Sequence, residues 1–241
     1  MEGGVFRKIK RDRSIIIACD FDSLEKLKEI ISNSYDMDMV GGYKIGFGLA
    51  LKYGLPNVAS IIRNLTEKPI IYDHQKGGTD VLHTAKIFSK IMRESMIDYA
   101  IIFPLSGPSV ERAWIEELRS NNITPIVGGI MTVQDFLASA GGFIKSEGPL
   151  EIYRIAVELK VRDFVLPGNN LEILKHYKKV IDSMIEDPIY YLPGLGAQGG
   201  DLKLCSKIME KNWHAIIGRS IYDSRNIREA IIEHYKMIIN P

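Results

Sequence analysis

Eight short and almost wholly apolar runs recur along the 241-residue chain, and they limit the folds open to it. Continuous rather than alternating apolar character is typical of strands in a parallel sheet that is covered on both faces. We predict strands at Ser14–Asp20, Met39–Gly46, Lys68–Asp73, Tyr99–Pro104, Thr124–Ile130, Asp163–Gly168, Ile189–Gly194 and Ala215–Arg219.

The segments between these runs have the apolar spacing of amphipathic helices. Examples are Leu24-Leu27-Ile30-Ile31, Val110-Trp114-Ile115-Leu118 and Ile152-Ile155-Ala156-Leu159. Eight strand and helix units in a chain of this length fit a closed (β/α)8 barrel, the TIM barrel, better than an open doubly wound sheet. Because no linker-like or low-complexity tract interrupts the pattern, we predict a single domain over residues 1–241.

Composition narrows the classes of partner. The formal net charge is +1, so a broad field for nucleic acid or a membrane surface is absent, and any anion site must be built locally. A small phosphorylated ligand remains compatible with this balance. Cys19 and Cys205 are too few and too far apart for a disulfide framework, and we expect both to be buried. With no signal-peptide pattern and no membrane-spanning run, we expect a cytoplasmic protein.

Charged residues gather where the first three predicted strands end. Asp20 ends the first strand, Lys44 lies near the end of the second, and Asp73, Lys76 and Asp80 follow the third. Strand ends of a (β/α)8 barrel converge on one mouth, so these carboxylates and ammoniums are expected to form an alternating array. A structural ion pair explains any one of these charges, but the set together favours catalysis.

Glycine-rich segments follow the last two predicted strands, at Leu192–Asp201 and Ile216–Tyr222. Glycines let backbone N–H groups approach an anion, and the loops after strands seven and eight are the usual phosphate site of these barrels. Arg219 can add a charged contact and Gln198 an amide donor. We therefore predict a phosphate site there.

Other features are less specific. The segment Ala138–Gly148 fits either a mobile lid or an ordinary surface insertion. Four histidines have no metal-ligand spacing, and no metal site is predicted. His74 lies near the expected mouth and receives a supporting role at most. The four histidines are His83, His176, His214 and His234.

Taken together, these motifs resemble the orotidine 5'-monophosphate decarboxylase family along nearly the whole chain. The resemblance rests on Ile17–Asp20, Tyr43–Gly46, Asp73–Asp80, Pro193–Asp201 and Ile217–Tyr222. In that family the third strand is followed by Asp-x-Lys-x-x-Asp, and the site is completed across a homodimer. Here Lys76 lies three residues after Asp73, and Asp80 lies four after Lys76, so two residues have been added. A β-bulge at Gly77-Gly78 could absorb them.

The resemblance implies a role for each matching position. Asp73 and Lys76 correspond to the catalytic carboxylate and the proton donor, and Asp20 and Lys44 to the residues that hold the array, with Lys44 also near the ribose. Asp80 and Thr84, with Val81 beside them, correspond to residues that reach the neighbouring subunit's site. The remaining substrate contacts implied are Thr132 and Pro193 on the base side, and Gln198, Gly218 and Arg219 at the phosphate.

The reaction that the resemblance implies is decarboxylation of orotidine 5'-monophosphate to UMP, a step of de novo pyrimidine biosynthesis, without a metal or a cofactor. The implied assembly is a homodimer. Neither nucleic acid nor a membrane is expected as a partner. Three alternatives stay open. One is a metal-assisted decarboxylase or aldolase acting on a sugar phosphate. Another is a Schiff-base aldolase using Lys44 or Lys76. The third is a nucleotide-binding homologue without catalytic activity.

Overall fold

Eight parallel strands close into a barrel, in chain order, in a computed structural model that describes residues 8–75, 78–131, 133, 135–196 and 199–241. The predicted (β/α)8 fold is confirmed. The strands are β1 (Arg13–Cys19), β2 (Val40–Ile45), β3 (Ile70–Asp73), β4 (Tyr99–Ile102), β5 (Thr124–Gly128), β6 (Asp163–Val165), β7 (Ile189–Leu192) and β8 (Trp213–Ile217).

The helices pack outside the barrel and return the chain to the start of the next strand. They are α1 (Leu24–Ser32), α2 (Phe47–Tyr53), α3 (Leu55–Arg63), α4 (Thr84–Glu94), α5 (Pro108–Ser120), α6 (Gly148–Glu158), α7 (Leu171–Met184), α8 (Leu202–Met209), α9 (Arg219–Tyr222) and α10 (Ile227–Ile239). The three helical patterns singled out in the sequence lie in α1, α5 and α6, where Leu159 ends the last one as a cap.

Strand β1 shows why the apolar runs are continuous. Ile15 and Ile17 face the outer layer between barrel and helices, whereas Ile16 and Ala18 face the barrel interior. Successive side chains of a strand point to opposite faces, so both faces must be apolar when both are covered. The sequence pattern is therefore a direct consequence of the closed, helix-wrapped sheet.

Most strands end earlier than predicted at their carboxyl ends. Phe103 and Ile130, for example, are 3% exposed, but they lie beyond the last paired residues of β4 and β5. Apolar side chains remain buried, in the barrel interior as well as under the helices, after the strands have stopped hydrogen bonding. The apolar run in the sequence is therefore longer than the hydrogen-bonded strand, and the sequence alone does not show where the hydrogen bonding ends. Strand β8 both begins and ends earlier than predicted, at Trp213 and Ile217.

Two helices rather than one connect β2 to β3. Gly54 separates α2 from α3 with φ of +78°, a left-handed backbone that favours glycine. Pro56 then lies in the first turn of α3, where its missing N–H is not needed.

The loop between β5 and α6 contains the segment predicted as a lid or an insertion. A short 3-10 turn, Ala138–Ala140, is followed by Gly141 in the left-handed region, and the chain returns through a bridge between Leu137 and Ile144. Phe143 at its tip is fully exposed. A lid motion stays a prediction.

Both cysteines are buried free thiols, as predicted. Trp114 and Trp213 are also buried packing residues. Within the described ranges, no helix is long and apolar enough to cross a membrane.

A buried carboxyl group lies at the amino-terminal end of the barrel. Asp163, the first residue of β6, is 9% exposed and accepts a 2.9 Å hydrogen bond from the Tyr191 hydroxyl. Burial raises the pKa of Asp163 from 3.8 to about 6, and the Tyr191 hydrogen bond and the charge of Arg162 offset this only in part. At neutral pH the folded chain therefore holds a charge that its surroundings disfavour.

We expect Asp163→Asn to stabilise the protein above pH 6. The folded-state pKa of Asp163 is raised, so its contribution to stability is present below its ordinary pKa and is lost as pH rises through about 6. Asparagine keeps an acceptor for Tyr191 without the charge. Denaturant unfolding at pH 7.5 should show a gain of about 1–3 kcal/mol that shrinks toward pH 4.

Asp187→Asn is the matched control, because the pKa of the exposed Asp187 is lowered by Lys211. The Asp187→Asn variant should show no gain in the free energy of unfolding at any pH. A pH-independent difference between Asp163→Asn and wild type would contradict the expectation.

Candidate active site

A cavity of about 540 Å³ opens at the carboxyl ends of the strands. Its floor includes the apolar side chains of Phe103, Ile130 and Ile216. Gly128 makes room for this floor, since a Cβ there would lie 2.3 Å from the Phe103 ring. The cavity occupies the position at which barrels of this type place their functional residues.

Lys44 is at the centre of the charged wall of this cavity. Its Nζ donates to Asp20 Oδ1 at 2.9 Å and Oδ2 at 3.1 Å, and to Asp73 Oδ2 at 2.9 Å. The side chains of Lys44 and Asp73 are 6% and 13% exposed, whereas that of Asp20 is 50% exposed. A buried ammonium thus bridges one inner and one outer carboxylate, as the sequence predicted for these three residues.

The register of the barrel explains this contact. Lys44 on β2 pairs with Ala18 on β1 and with Ile71 on β3, and all three face the interior. Asp20 and Asp73 follow those partners by two residues, so each carboxylate lies one layer higher on the same face. Two residues of strand rise about 6.6 Å, which is close to the length of an extended lysine side chain. The small Ala18 leaves the lysine its path.

Electrostatics keep the ammonium charged. Burial alone would lower the pKa of Lys44, but the charges of Asp73 and Asp20 and their hydrogen bonds outweigh it, so that its pKa is raised above the ordinary value. Gly46 leaves space for Asp20 in this arrangement, because a Cβ at Gly46 would lie 2.5 Å from Asp20 Oδ1. Lys44 is therefore a permanent cation at neutral pH.

The loops after β7 and β8 meet across the cavity from this array. Gly194, Gly196 and Gly199 have φ values of +87°, +71° and +88°, which favour glycine in the loop after β7. A Cβ at Gly196 would lie 2.6 Å from Ser220 Oγ in α9, so the two loops are in close contact. Gly218 and the exposed Arg219 line the cavity on this side, where the sequence predicts a phosphate site.

The described part of the chain brings together six of the predicted site residues. These cavity-lining residues are Asp20, Lys44, Asp73, Pro193, Gly218 and Arg219. Three further predicted positions, Lys76, Thr132 and Gln198, lie outside the described residues.

Asp80 and Thr84 do not line the cavity of this chain. Asp80 is exposed and accepts a 2.7 Å hydrogen bond from the Val81 N–H, and Thr84 Oγ1 donates to the Val81 carbonyl at 2.6 Å. Val81 itself is 51% exposed. This exposed position is compatible with a role toward a second subunit, which stays a prediction.

The extra residues after Asp73 are not accommodated within the strand ladder. Strand β3 pairs with β2 and β4 without a register shift up to Asp73. The chain turns just beyond, where Gln75 has φ of +42° and Gly78 has φ of +86°. The described part therefore contains no bulge in β3 itself, while Gly77, part of the predicted bulge, lies outside the described residues.

Several cavity residues were not predicted. Phe47 begins α2 immediately after Gly46, and Gln75 lies two residues after Asp73. Asn169 lies in the loop after β6, and Tyr222 ends the short helix α9 after β8. Position after a strand end could have suggested Phe47 and Asn169, but neither carries a charge or a motif. Tyr222 is part of the segment Ile217–Tyr222 that carries the resemblance, but no role was predicted for it.

No cluster of three or more potential metal ligands occurs among the residues that the structure describes. His214 is buried, its Nδ1 lies 2.8 Å from Ser14 Oγ, and burial lowers its pKa to about 3. It therefore serves as a neutral core residue.

Fold and site define a (β/α)8 barrel whose mouth combines a carboxylate-lysine array with glycine-rich loops after the last two strands. Comparison with curated proteins finds orotidine 5'-phosphate decarboxylases. The protein of Pyrococcus abyssi is 28% identical over 229 residues, which are 93% of this chain and 98% of that protein. The protein of Methanococcus maripaludis is 28% identical over 209 residues, which are 87% of this chain and 90% of that protein. The resemblance predicted from the motifs is confirmed, and the chain is a homologue of these carboxy-lyases.

Solved structures support the fold. Orotidine 5'-monophosphate decarboxylase from Methanocaldococcus jannaschii, complexed with the inhibitor BMP, superposes with a TM-score of 0.79 at 24% identity and covers 95% of this chain and 99% of its own. The Pyrococcus horikoshii enzyme gives a TM-score of 0.77 at 23% identity, over 94% of this chain and 100% of its own. No family model matches the chain.

We expect Lys44→Met to destabilise the protein by about 3 kcal/mol, because it leaves the largely buried Asp73 without its cation. Urea unfolding at pH 7 measures the loss. Lys52→Met is the matched control, since Lys52 also bonds an aspartate, Asp22, at 3.0 Å, but on the surface. Lys52→Met should change the free energy of unfolding little. Equal losses in the two variants would contradict a special role for Lys44.

Proposed function

We propose that the protein decarboxylates orotidine 5'-monophosphate to UMP and that Lys76 delivers the proton to C6. The observation that carries this is the Asp20–Lys44–Asp73 array in a cavity that also takes in Arg219. The cavity thus offers oriented charge at one wall and a cation at the other. The named activity of the curated relatives supports the same substrate.

Binding of the nucleotide is assigned to the two sides of the cavity. Pro193 and Thr132 contact the base, and Gly218, Arg219 and Gln198 hold the phosphate. The exposed guanidinium of Arg219 can form two charged hydrogen bonds to a phosphate. Binding energy gained at the phosphate can order the site at the distant reacting carbon.

The chemical step breaks the bond between C6 and the carboxyl carbon, and its electron pair stays on C6 as CO2 leaves. The resulting vinyl carbanion has no delocalising group, so the site must stabilise charge that exists only late in the reaction. The Lys76 ammonium, close to C6, stabilises the carbanion and then donates its proton to form UMP. This scheme uses neither metal nor cofactor.

Asp73 and Lys44 prepare the site for this step. Asp73, held by Lys44 at 2.9 Å, places a negative charge next to the substrate carboxylate and so disfavours the bound ground state relative to the transition state. Lys44 keeps this carboxylate oriented and also contacts the ribose. Asp20 completes the array from the solvent side.

A homodimer with shared sites accounts for the residues that lie outside this cavity. Asp80 and Thr84 then reach the ribose in the neighbouring subunit's site. Apolar side chains nearby would be covered by such an interface, since Val81, Leu82 and Ile87 are 51%, 49% and 60% exposed. The chain acts in this assembly as one barrel domain.

Purified protein should convert orotidine 5'-monophosphate, followed by absorbance, with full activity in EDTA. Lys76→Ala should lose turnover by at least about a thousandfold, because the carbanion loses both its countercharge and its proton source. UMP binding should persist. Lys90→Ala, a surface lysine of α4 that pairs with Glu94, is the matched control and should remain active.

The other functions predict different results. Activity lost in EDTA would indicate the metal-assisted sugar-phosphate enzyme, and borohydride trapping with substrate would indicate a Schiff base. UMP binding by wild type without turnover would indicate a nucleotide-binding homologue. Near-normal turnover by Lys76→Ala would contradict the proton-donor role.

Mixing inactive Asp80→Ala and Lys76→Ala proteins should restore activity, because a hybrid dimer holds one site in which both residues are intact. Random exchange should give about a quarter of the sites this composition, and measured turnover should approach that fraction. Subunit exchange is verified by mass spectrometry of differently tagged chains. No recovery despite exchange would show that each subunit completes its own site.

A further inference from the structure

The residue after Asp73 continues the strand alternation beyond the last ladder pair. Ile71 faces the barrel interior, Tyr72 faces the outer layer, and Asp73 faces the cavity. His74 lies again on the outer side, where its ring packs against Tyr72 and Phe88 of α4 at centroid distances of 5.4 and 5.7 Å. The strand's geometry therefore extends one residue further than its backbone pairing.

A hydrogen bond holds His74 there. Its Nδ1 lies 2.7 Å from the hydroxyl of Tyr72, a residue that is only 5% exposed. Phe88 packs in turn on Trp114 of α5, with ring centroids 4.7 Å apart. His74, which is itself exposed, is thus attached to an aromatic cluster of the outer layer.

The next residue turns the chain back to the cavity. Gln75 adopts φ of +42°, its N–H donates to Asp73 Oδ1 at 3.1 Å, and its side chain lines the cavity. A left-handed conformation is unusual for glutamine and persists only when its neighbours determine it. Asp73, on the inner side, accepts the Gln75 N–H, and His74 lies on the outer side.

We propose that His74, through its bond to Tyr72, is a positioning residue that clamps the chain where it leaves β3, two residues before Lys76. The segment from Asp73 to Asp80 is two residues longer than the spacing that the resemblance implies, and a longer segment has more conformations to lose on ordering. The clamp removes that freedom at the point where the chain leaves β3. The inference rests on the proposed function for its kinetic part only.

The clamp does not depend on one protonation state of the imidazole. A tyrosine hydroxyl both donates and accepts, so it can donate to a neutral Nδ1 or accept from a protonated one. Asparagine can present a polar atom at the position of Nδ1, whereas leucine fills similar space without one. Conservative and non-conservative variants therefore separate hydrogen bonding from packing.

The experiment compares Tyr72→Phe, His74→Leu, the double variant and His74→Asn in the full protein. Tyr72→Phe and His74→Leu should each lower kcat about five- to tenfold, as expected for one lost hydrogen bond. The double variant should be no slower than either single one, because both remove the same bond. His74→Asn should keep most of the activity, and the Kd of UMP should stay within about twofold of wild type in all four.

Tyr190→Phe is the matched control. The Tyr190 hydroxyl is also buried and also bonds outward to a helix, donating to Asp182 at 2.6 Å, but it lies near the start of β7 and away from the mouth. It should lower the melting temperature as Tyr72→Phe does and leave kcat unchanged. Unchanged kcat in Tyr72→Phe, additive losses in the double variant, or equal kcat losses in Tyr72→Phe and Tyr190→Phe would overturn the clamp.

Amide hydrogen exchange tests the clamp even if wild type shows no turnover, which would count against the proposed function alone. The peptide spanning residues 73–80 should exchange at least fivefold faster in Tyr72→Phe than in wild type, because the chain after Asp73 loses its attachment to Tyr72. A peptide from α7 should be unaffected in the same sample. Equal exchange of the 73–80 peptide in both proteins would refute the inference.

Discussion

The buried ion pair between Lys44 and Asp73 is the interaction on which the mouth of this barrel depends. An ammonium inside a barrel is strongly disfavoured unless a carboxylate meets it, and the carboxylate is disfavoured without the ammonium. Because each charge needs the other, the ion pair constrains the register of β2 against β3. The Lys44 side chain must reach from its own layer of the barrel to Asp73 in the next layer. Asp20 extends the same constraint to β1.

Small residues surround this pair for the same reason. Ala18 is the ladder partner of Lys44 on β1, and Gly46 leaves space for the Asp20 carboxylate. The apolar floor below, with Phe103 and Ile216, lowers the local dielectric and makes every charge above it act more strongly. The array is therefore a costly feature for stability that gains its value from what binds above it. That trade is typical of active sites and unusual for ion pairs that only hold a fold together.

The sequence predicted the barrel and this array because both can be recognised from the residue pattern of each strand separately. Apolar runs mark strands, and a charge at the end of such a run marks the mouth, which is how Asp20, Lys44 and Asp73 were found. Contacts that depend on the direction of a loop were not predictable in this way. Phe47 lines the cavity although its type suggests packing, and Asp80 lies outside the cavity of its own chain although the strand-end pattern placed it in the array. Both outcomes depend on tertiary structure beyond the strand end.

The segment after β3 is longer than the spacing that the resemblance implies, and the structure shows why this difference in length need not disturb the barrel. Asp73 is fixed by Lys44, so the strand below it keeps its register whatever follows. At the far end, the Ser106 hydroxyl donates to the Thr79 carbonyl and ties the turn to the loop after β4. Extra length between two such fixed points is compatible with the regular ladder of β3, because loop length contributes little to stability compared with a broken ladder. What the extra length does require is a new means of directing the chain at its start, and the packing of His74 on the outer layer meets that requirement without altering a residue of the array.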